Sequence, residues 1–451
     1  MPTSSDYVLL NAHACISSVS CNNATTARAT TRKHQTIEVS LLPARPPLPS
    51  DLLVHCPDLD PSAFTVPPSI LRAVEKLLLL RVAIGCPPDY ISPKDCDYFI
   101  YRLDATCGPS LERILCPHPF HDDDVGLLCR GDHYIIAVLE GTPTLDVYDL
   151  HLFHSETPET WSSRQVSVEE PQREFPLKVS RNCYRLFNHD TSTVITIGGE
   201  GGTMGWVDLW RGILLCDVLR EQPTLRGLPL PMPVDLMSGN NGNGFELGCP
   251  KSLRGISFIN KDKSGQPCLK LVHLQADATQ LPYEEHDGLR SFLMHDWAIT
   301  TWNNVRNTKM TSSWEDWHEG QRIQASCITV DNQLTAELLD SGLFLDNKPQ
   351  DGDGPGRALQ NLMVSDPAPA IVAADEDVVY LMARVKFLDP KAWIVALDTK
   401  NKTLRGAAEF GTEREPDARV LCCPSTISKY ICDESGCCCP RCLKTSNSGG
   451  M

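Results

Sequence analysis

Short apolar runs rich in Val, Ile, Tyr and Phe recur along the chain, separated by polar turns that carry Gly or Pro. They fall at residues 98–103, 133–139, 145–153, 194–197, 206–216, 255–259, 269–274, 323–330, 378–385 and 393–397. Runs of this length and composition predict β-strands, and their number predicts a mainly β fold of the sandwich, barrel or propeller kind. Two stretches repeat a common order. His133 to Leu139 leads to Leu145 to Phe153 and then, through Ser155-Glu156-Thr157, to Trp161 to Val166. Val378 to Ala383 leads to Trp393 to Asp398 and then, through Thr399 to Lys402, to Leu404 to Gly406. Strand, turn, strand, turn and strand again is the rhythm of a kelch-like propeller blade, here with blades at irregular spacing and in uncertain number.

One segment is at odds with that rhythm. From Pro68 onward Leu71, Val74 and Leu78 stand at helical spacing, which predicts one short helix with a buried face. The apolar run there, Leu77 to Leu80 resuming at Val82, is broken by Arg81 and is far too short to span a bilayer. The expected organisation is an irregular N-terminal region over residues 1–91, a propeller-like β domain over 92–420 and a Cys-rich disordered tail over 421–451. The Gly- and Asn-rich residues 238–244 and the Asp- and Gly-rich residues 346–356 predict surface insertions.

Composition narrows the class. Over 451 residues, 41% hydrophobic content is ample for a core, and a formal charge of -16 disfavours a broad nucleic-acid surface. Met1 to Leu10 offers neither a basic n-region nor an apolar h-region, so an intracellular setting, cytoplasmic or nuclear, is expected. Of the 20 cysteines, the thirteen from Cys15 to Cys327 show no recurring interval and read as reduced thiols. The other seven crowd into residues 422–442. Cys439-Pro440-Arg441-Cys442 is a CxxC pair, and Cys432, Cys437, Cys439 and Cys442 are the candidate metal ligands. The alternatives for this tail are plain disorder, lipid attachment or redox chemistry.

Other motifs read as structural. Gly198 to Gly202 follows a strand but lacks the last glycine of a dinucleotide fingerprint, since Met204 stands there, and predicts a turn. His118 to Asp124 holds five possible ligands in seven residues without metal-site spacing, and predicts a solvated acidic loop before a strand at Val125. Leu48 to Leu53 looks like the first residues of an F-box, but Pro57 and Pro61 break the helix it would need. No GxSxG elbow, HExxH pair, Walker lysine loop or kinase set occurs. The tryptophans Trp206, Trp210, Trp297, Trp302, Trp314, Trp317 and Trp393 are expected to fill the core.

The most informative stretch is Gly205-Trp206-Val207-Asp208-Leu209-Trp210-Arg211-Gly212-Ile213-Leu214, followed by Leu228-Pro229-Leu230-Pro231. On a strand, Trp206, Asp208 and Trp210 share one face and Val207, Leu209 and Arg211 the other, so both faces are largely apolar. Asp208 then needs a buried partner such as a backbone amide. Together with Glu159-Thr160-Trp161-Ser162-Ser163 and Thr426-Ile427-Ser428-Lys429-Tyr430, this stretch resembles the grass-expanded plant family called domain of unknown function 1618, most specifically from about Gly201 to Val330. The resemblance implies an all-β, propeller-like scaffold similar to F-box-associated domains. It supplies no catalytic residue and no cofactor, and marks Gly205, Trp206, Asp208, Trp210, Arg211 and Gly212 as structural signature positions. The expected role is a non-enzymatic binding module whose loops contact an unknown protein partner or a small ligand, without nucleic acid and without a membrane span. The alternatives are a propeller-type hydrolase with acidic residues in a central channel, and zinc binding through the tail.

Overall fold

The computed structural model describes residues 7–85, 95–116, 120–157, 160–170, 189–231, 249–280, 292–305, 317–344, 358–386, 389, 391–411 and 422–431. The chain opens with Val8–Asn11 (β1), Cys15–Ile16 (β2), Ala27–Thr30 (β3), Thr36–Leu42 (β4) and Asp51–His55 (β5). Five antiparallel units of four strands follow. They are Ser69–Val74, Leu77–Ala83, Cys96–Arg102 and Ser110–Ile114 (β6 to β9); Val125–Arg130, His133–Gly141, Val147–His154 and Trp161–Glu170 (β10 to β13); Thr193–Gly198, Thr203–Asp208, Gly212–Asp217 and Leu225–Pro229 (β14 to β17); Arg254–Ile259, Cys268–Gln280, Phe292–Val305 and His318–Gln324 (β18 to β21); and Met363–Pro369, Val378–Arg384, Lys391–Asp398 and Thr403–Gly411 (β22 to β25). In each unit the strands pair in chain order, and a parallel pairing of β13 with β17 joins two neighbouring units into one eight-stranded sheet.

The last described strand, Cys422–Ser425 (β26), pairs antiparallel with β1, so that Val8 faces Ser425 and Leu10 faces Cys423. β1 in turn bridges to Ser50 beside β5, which carries β4 and β3 outward. A sixth unit is therefore assembled from both ends of the described chain. The first strands of the units touch in succession: β6 meets β10, β10 meets β14, β14 meets β18, β18 meets β22, and β26 meets both β22 and β6.

The apolar core is divided in the same way, with one layer between each pair of neighbouring units. β7 shows why. Leu77 and Leu79 point into the layer shared with β10 to β13, while Leu78 and Leu80 point into the layer shared with β4 and β5. A strand buried on both sides needs a continuous apolar run rather than an alternating one. That corrects the helix expected from Pro68: the residues form β6 and β7, and the chain reverses at Glu75, whose φ of 50° is a turn conformation that no helix contains. Residues 7–85, expected to be irregular, carry seven strands.

Two more boundaries differ from expectation. Residues 206–216, read as one run, are a hairpin that turns at Leu209 to Arg211. Residues 323–330 leave strand β21 at Gln324 and enter a single 3₁₀ turn, Ala325–Cys327. Beyond it lies the helix Asn332–Asp340 (α2), capped by the Asp331 carboxylate, which accepts from the Leu334 amide at 2.8 Å, and seated through Leu334 and Leu338. The helical turn Pro250–Leu253 (α1) precedes β18. No helix among the described residues is long and apolar enough to cross a membrane.

Candidate functional site

The signature stretch builds the hairpin β15–β16. Met204, Trp206, Leu214 and Cys216 enter the layer shared with β10 to β13, and Val207, Ile213 and Leu215 enter the layer shared with β18 to β21. Gly205 faces this second layer, where a Cβ would meet Ile213 Cγ2 at 2.7 Å. Both faces of the hairpin are thus buried, as the pattern predicted. Trp210 departs from the prediction: it sits in the turn rather than on the strand, away from Trp206.

Asp208 closes the turn. Its Oδ1 accepts from the amides of Trp210 at 2.9 Å and Arg211 at 3.2 Å, and its Oδ2 from the amide of Asp190 at 3.0 Å. These backbone amides are the partners its burial demanded. Burial pushes its carboxyl up to about 6, against the three amides, which favour the charged form. Arg254, at the start of β18, lies over the Trp210 ring at 5.6 Å and donates to the carbonyls of Leu209 and Pro231. Its guanidinium is lowered to about 9 by burial, which the nearby Asp208 charge opposes. His273 packs against Trp210 and Trp302, both at 6.4 Å, with neither ring nitrogen hydrogen-bonded, and burial lowers it to about 3. Pattern reading does not reveal Arg254 or His273, because nothing local links them to a turn more than forty residues away.

The signature also holds the acidic loop. The Trp206 indole donates to the carbonyl of Asp124 at 2.7 Å, where the loop enters β10. Asp122 meets Arg81 of β7 at 2.5 Å, the carbonyl of Asp123 accepts from Arg72 of β6 at 2.6 Å, and the Asp123 carboxylate meets Lys251 of α1 at 2.5 Å. Burial raises the Asp122 carboxyl, and raises that of Asp124 to about 6 in spite of a hydrogen bond from Thr191. Burial also lowers the Arg72 guanidinium, with the three aspartates acting against it. Groups from four successive units therefore meet here, three carboxylates against three cations. The loop is half-buried and cross-linked, which corrects the expectation of a solvated one; His118 lies outside the described residues.

Two further acids at the hairpin, Asp217 and Glu200, do not join this cluster. Asp217 stands at the far end of the hairpin, accepting from Thr203 at 2.6 Å and facing Arg220 at 2.9 Å. Glu200, in the turn after β14, is exposed and offers its carbonyl to Arg130 at 2.9 Å. Among the described residues no group of three His, Cys, Asp or Glu side chains is arranged to hold a metal ion. Cys432, Cys437, Cys439 and Cys442 lie outside the described residues, as do Trp314, Glu315, Asp316 and residues 238–244 and 346–356. Cys423, expected in the tail, lies in β26 with its thiol raised by burial and opposed by Arg72.

A mainly β protein of repeated four-stranded units, with a buried hairpin that pins an ion-paired loop, is the class that the fold and site define. Residues 206–380 match the model of the family described as protein of unknown function (DUF1618). The match begins on Trp206, within β15, and ends on Tyr380, three residues into β23, so it takes in the signature hairpin from Trp206 onward, the unit β18 to β21, and β22. No curated protein matches the chain.

Proposed function

We propose that the chain is a non-enzymatic β-propeller-like scaffold of six blades, the sixth closed by β1 and β26, that presents a binding face around Asp122 to Asp124. The unbroken succession of first-strand contacts and the six inter-unit core layers support the propeller reading. One observation carries the functional reading: side chains of four successive units converge on a single loop and fix it by charge pairs and one indole hydrogen bond. A loop held rigidly at the end of a β-scaffold is a usual place for recognition. Each of its carboxylates already faces a protein donor, which suits an ion-paired recognition surface better than a proton relay. A protein partner with a surface of mixed charge is the class expected.

The test is capture of a partner by the full chain, compared between the wild type, Asp123→Lys and Glu200→Lys. The expected result is a partner that the wild type and Glu200→Lys retain and Asp123→Lys loses, with cooperative thermal melting in all three and a modest drop for Asp123→Lys, whose pair with Lys251 is gone. A partner lost with Glu200→Lys and kept by Asp123→Lys would place the binding face at the other end of the hairpin.

A further inference from the structure

The layer between β18 to β21 and β22 to β25 changes character along its length. On β19 and β20 one face carries Leu274, Val272, Trp297 and Ile299, all packed in the shared core. The next positions on that face, Lys270, Thr301 and Asn303, are polar, with Lys270 opposite Asn303 and Val272 opposite Thr301 in the register. Two sheets packed throughout would place apolar residues there. Instead they part and leave a cleft of about 290 Å³, bounded on the facing unit by Glu376, Asp377, Thr399 and Lys400. Polar positions that break an apolar face are expected where a site has been built.

Lys270 defines the chemistry of the cleft. The residue is 4% exposed, and its ammonium donates to the carbonyl of Glu376. Among the described residues no carboxylate lies within ion-pairing distance of it. The two nearest acids are held by a different cation, since Lys263 meets Asp377 at 2.5 Å and Glu376 at 3.5 Å. A buried ammonium with two donors left over is costly unless an anion joins it. Lys400 adds a second positive charge, and Asn303 and Gln321 line the same space. Thr301 is already engaged, because its hydroxyl accepts from the Gln321 amide at 3.0 Å.

We propose that this cleft binds a small hydroxylated anion, its oxyanion seated on Lys270 and its hydroxyls on the amides of Asn303 and Gln321. The cleft shares no lining residue with the cluster at Asp122 to Asp124, and its proposal stands apart from the function proposed for that loop.

The experiment is thermal unfolding and calorimetric titration of the full chain with citrate, glucose 6-phosphate, inorganic phosphate and glucose at constant ionic strength, with chloride as the reference. A hydroxylated anion, citrate or glucose 6-phosphate, raises the melting temperature above chloride, and glucose does not. Response to one of the two assigns the carboxylate or the phosphate chemistry. Lys270→Met, which replaces a buried charge by an apolar chain of similar length, abolishes the rise without lowering the melting temperature of the free protein. Asn303→Ala weakens binding about tenfold and covers the case in which the Lys270 variant folds poorly. The proposal is overturned if no anion stabilises the wild type beyond chloride, or if Lys270→Met and Asn303→Ala both bind as the wild type does.

Discussion

Single residues in this protein are placed by what burial forbids. Asp208 could be recognised from the sequence as a carboxylate in an apolar strand that needs backbone donors, and three amides serve it. Its neighbours Arg254 and His273 could not, because only the stacking of two units brings them to Trp210. His273 has a measurable consequence. The folded protein holds its ring neutral down to about pH 3, whereas an unfolded chain takes up the proton below about 6.5. Stability from this ring is therefore fully present above 6.5 and drains away as the pH falls toward 3. His273→Phe removes the linkage. Relative to the wild type it should gain about 1.4 kcal/mol in urea unfolding at pH 5.5 compared with pH 8. An equal offset at both pH values would mean that the ring is not held neutral.

At the scale of elements, strand composition was a good guide wherever a strand has turns on either side, as in β10 to β13 and β23 to β25. It misled at β6 and β7, where the apolar positions also fit a helical spacing. Leu77 to Leu80 satisfies a helical pattern and a doubly buried strand equally, and the turn at Glu75 decides between them. The acidic loop was misjudged for a different reason: its polar residues are half-buried by cations that come from two other units. Close approach between first strands gives a test of the packing. A Cβ on Gly255 of β18 would lie 1.7 Å from the carbonyl oxygen of Pro367 in β22. Gly255→Ala should thus push the two strands apart and cost roughly 3 kcal/mol or more. Gly141→Ala, which meets nothing within 4 Å, should be close to neutral in the same chemical denaturation.

The whole molecule was legible as a rhythm of strands but not as a number of units. One unit has its strands at both ends of the described chain, and no local pattern links Val8 to Ser425. Cys422 and Cys423 illustrate the difficulty. Beside a cysteine-rich tail they read as part of it, yet they form the strand that pairs with β1, and Ile427 just beyond is fully buried in the first core layer. The family signature is explained at this scale too. Its hairpin lies between two layers, so a change at Trp206 or Val207 disturbs two units at once, and the indole of Trp206 carries that disturbance to the loop at Asp124. The most direct measurement of closure is hydrogen exchange of the backbone amides in β1 and β26 of the intact protein. The β1–β26 pairing predicts that amides in both strands exchange as slowly as those of the signature hairpin, and that those of β26 lose this protection when residues 1–11 are removed. Exchange of the Cys422, Cys423 and Ser425 amides in the intact protein at the rate of a free chain would contradict it.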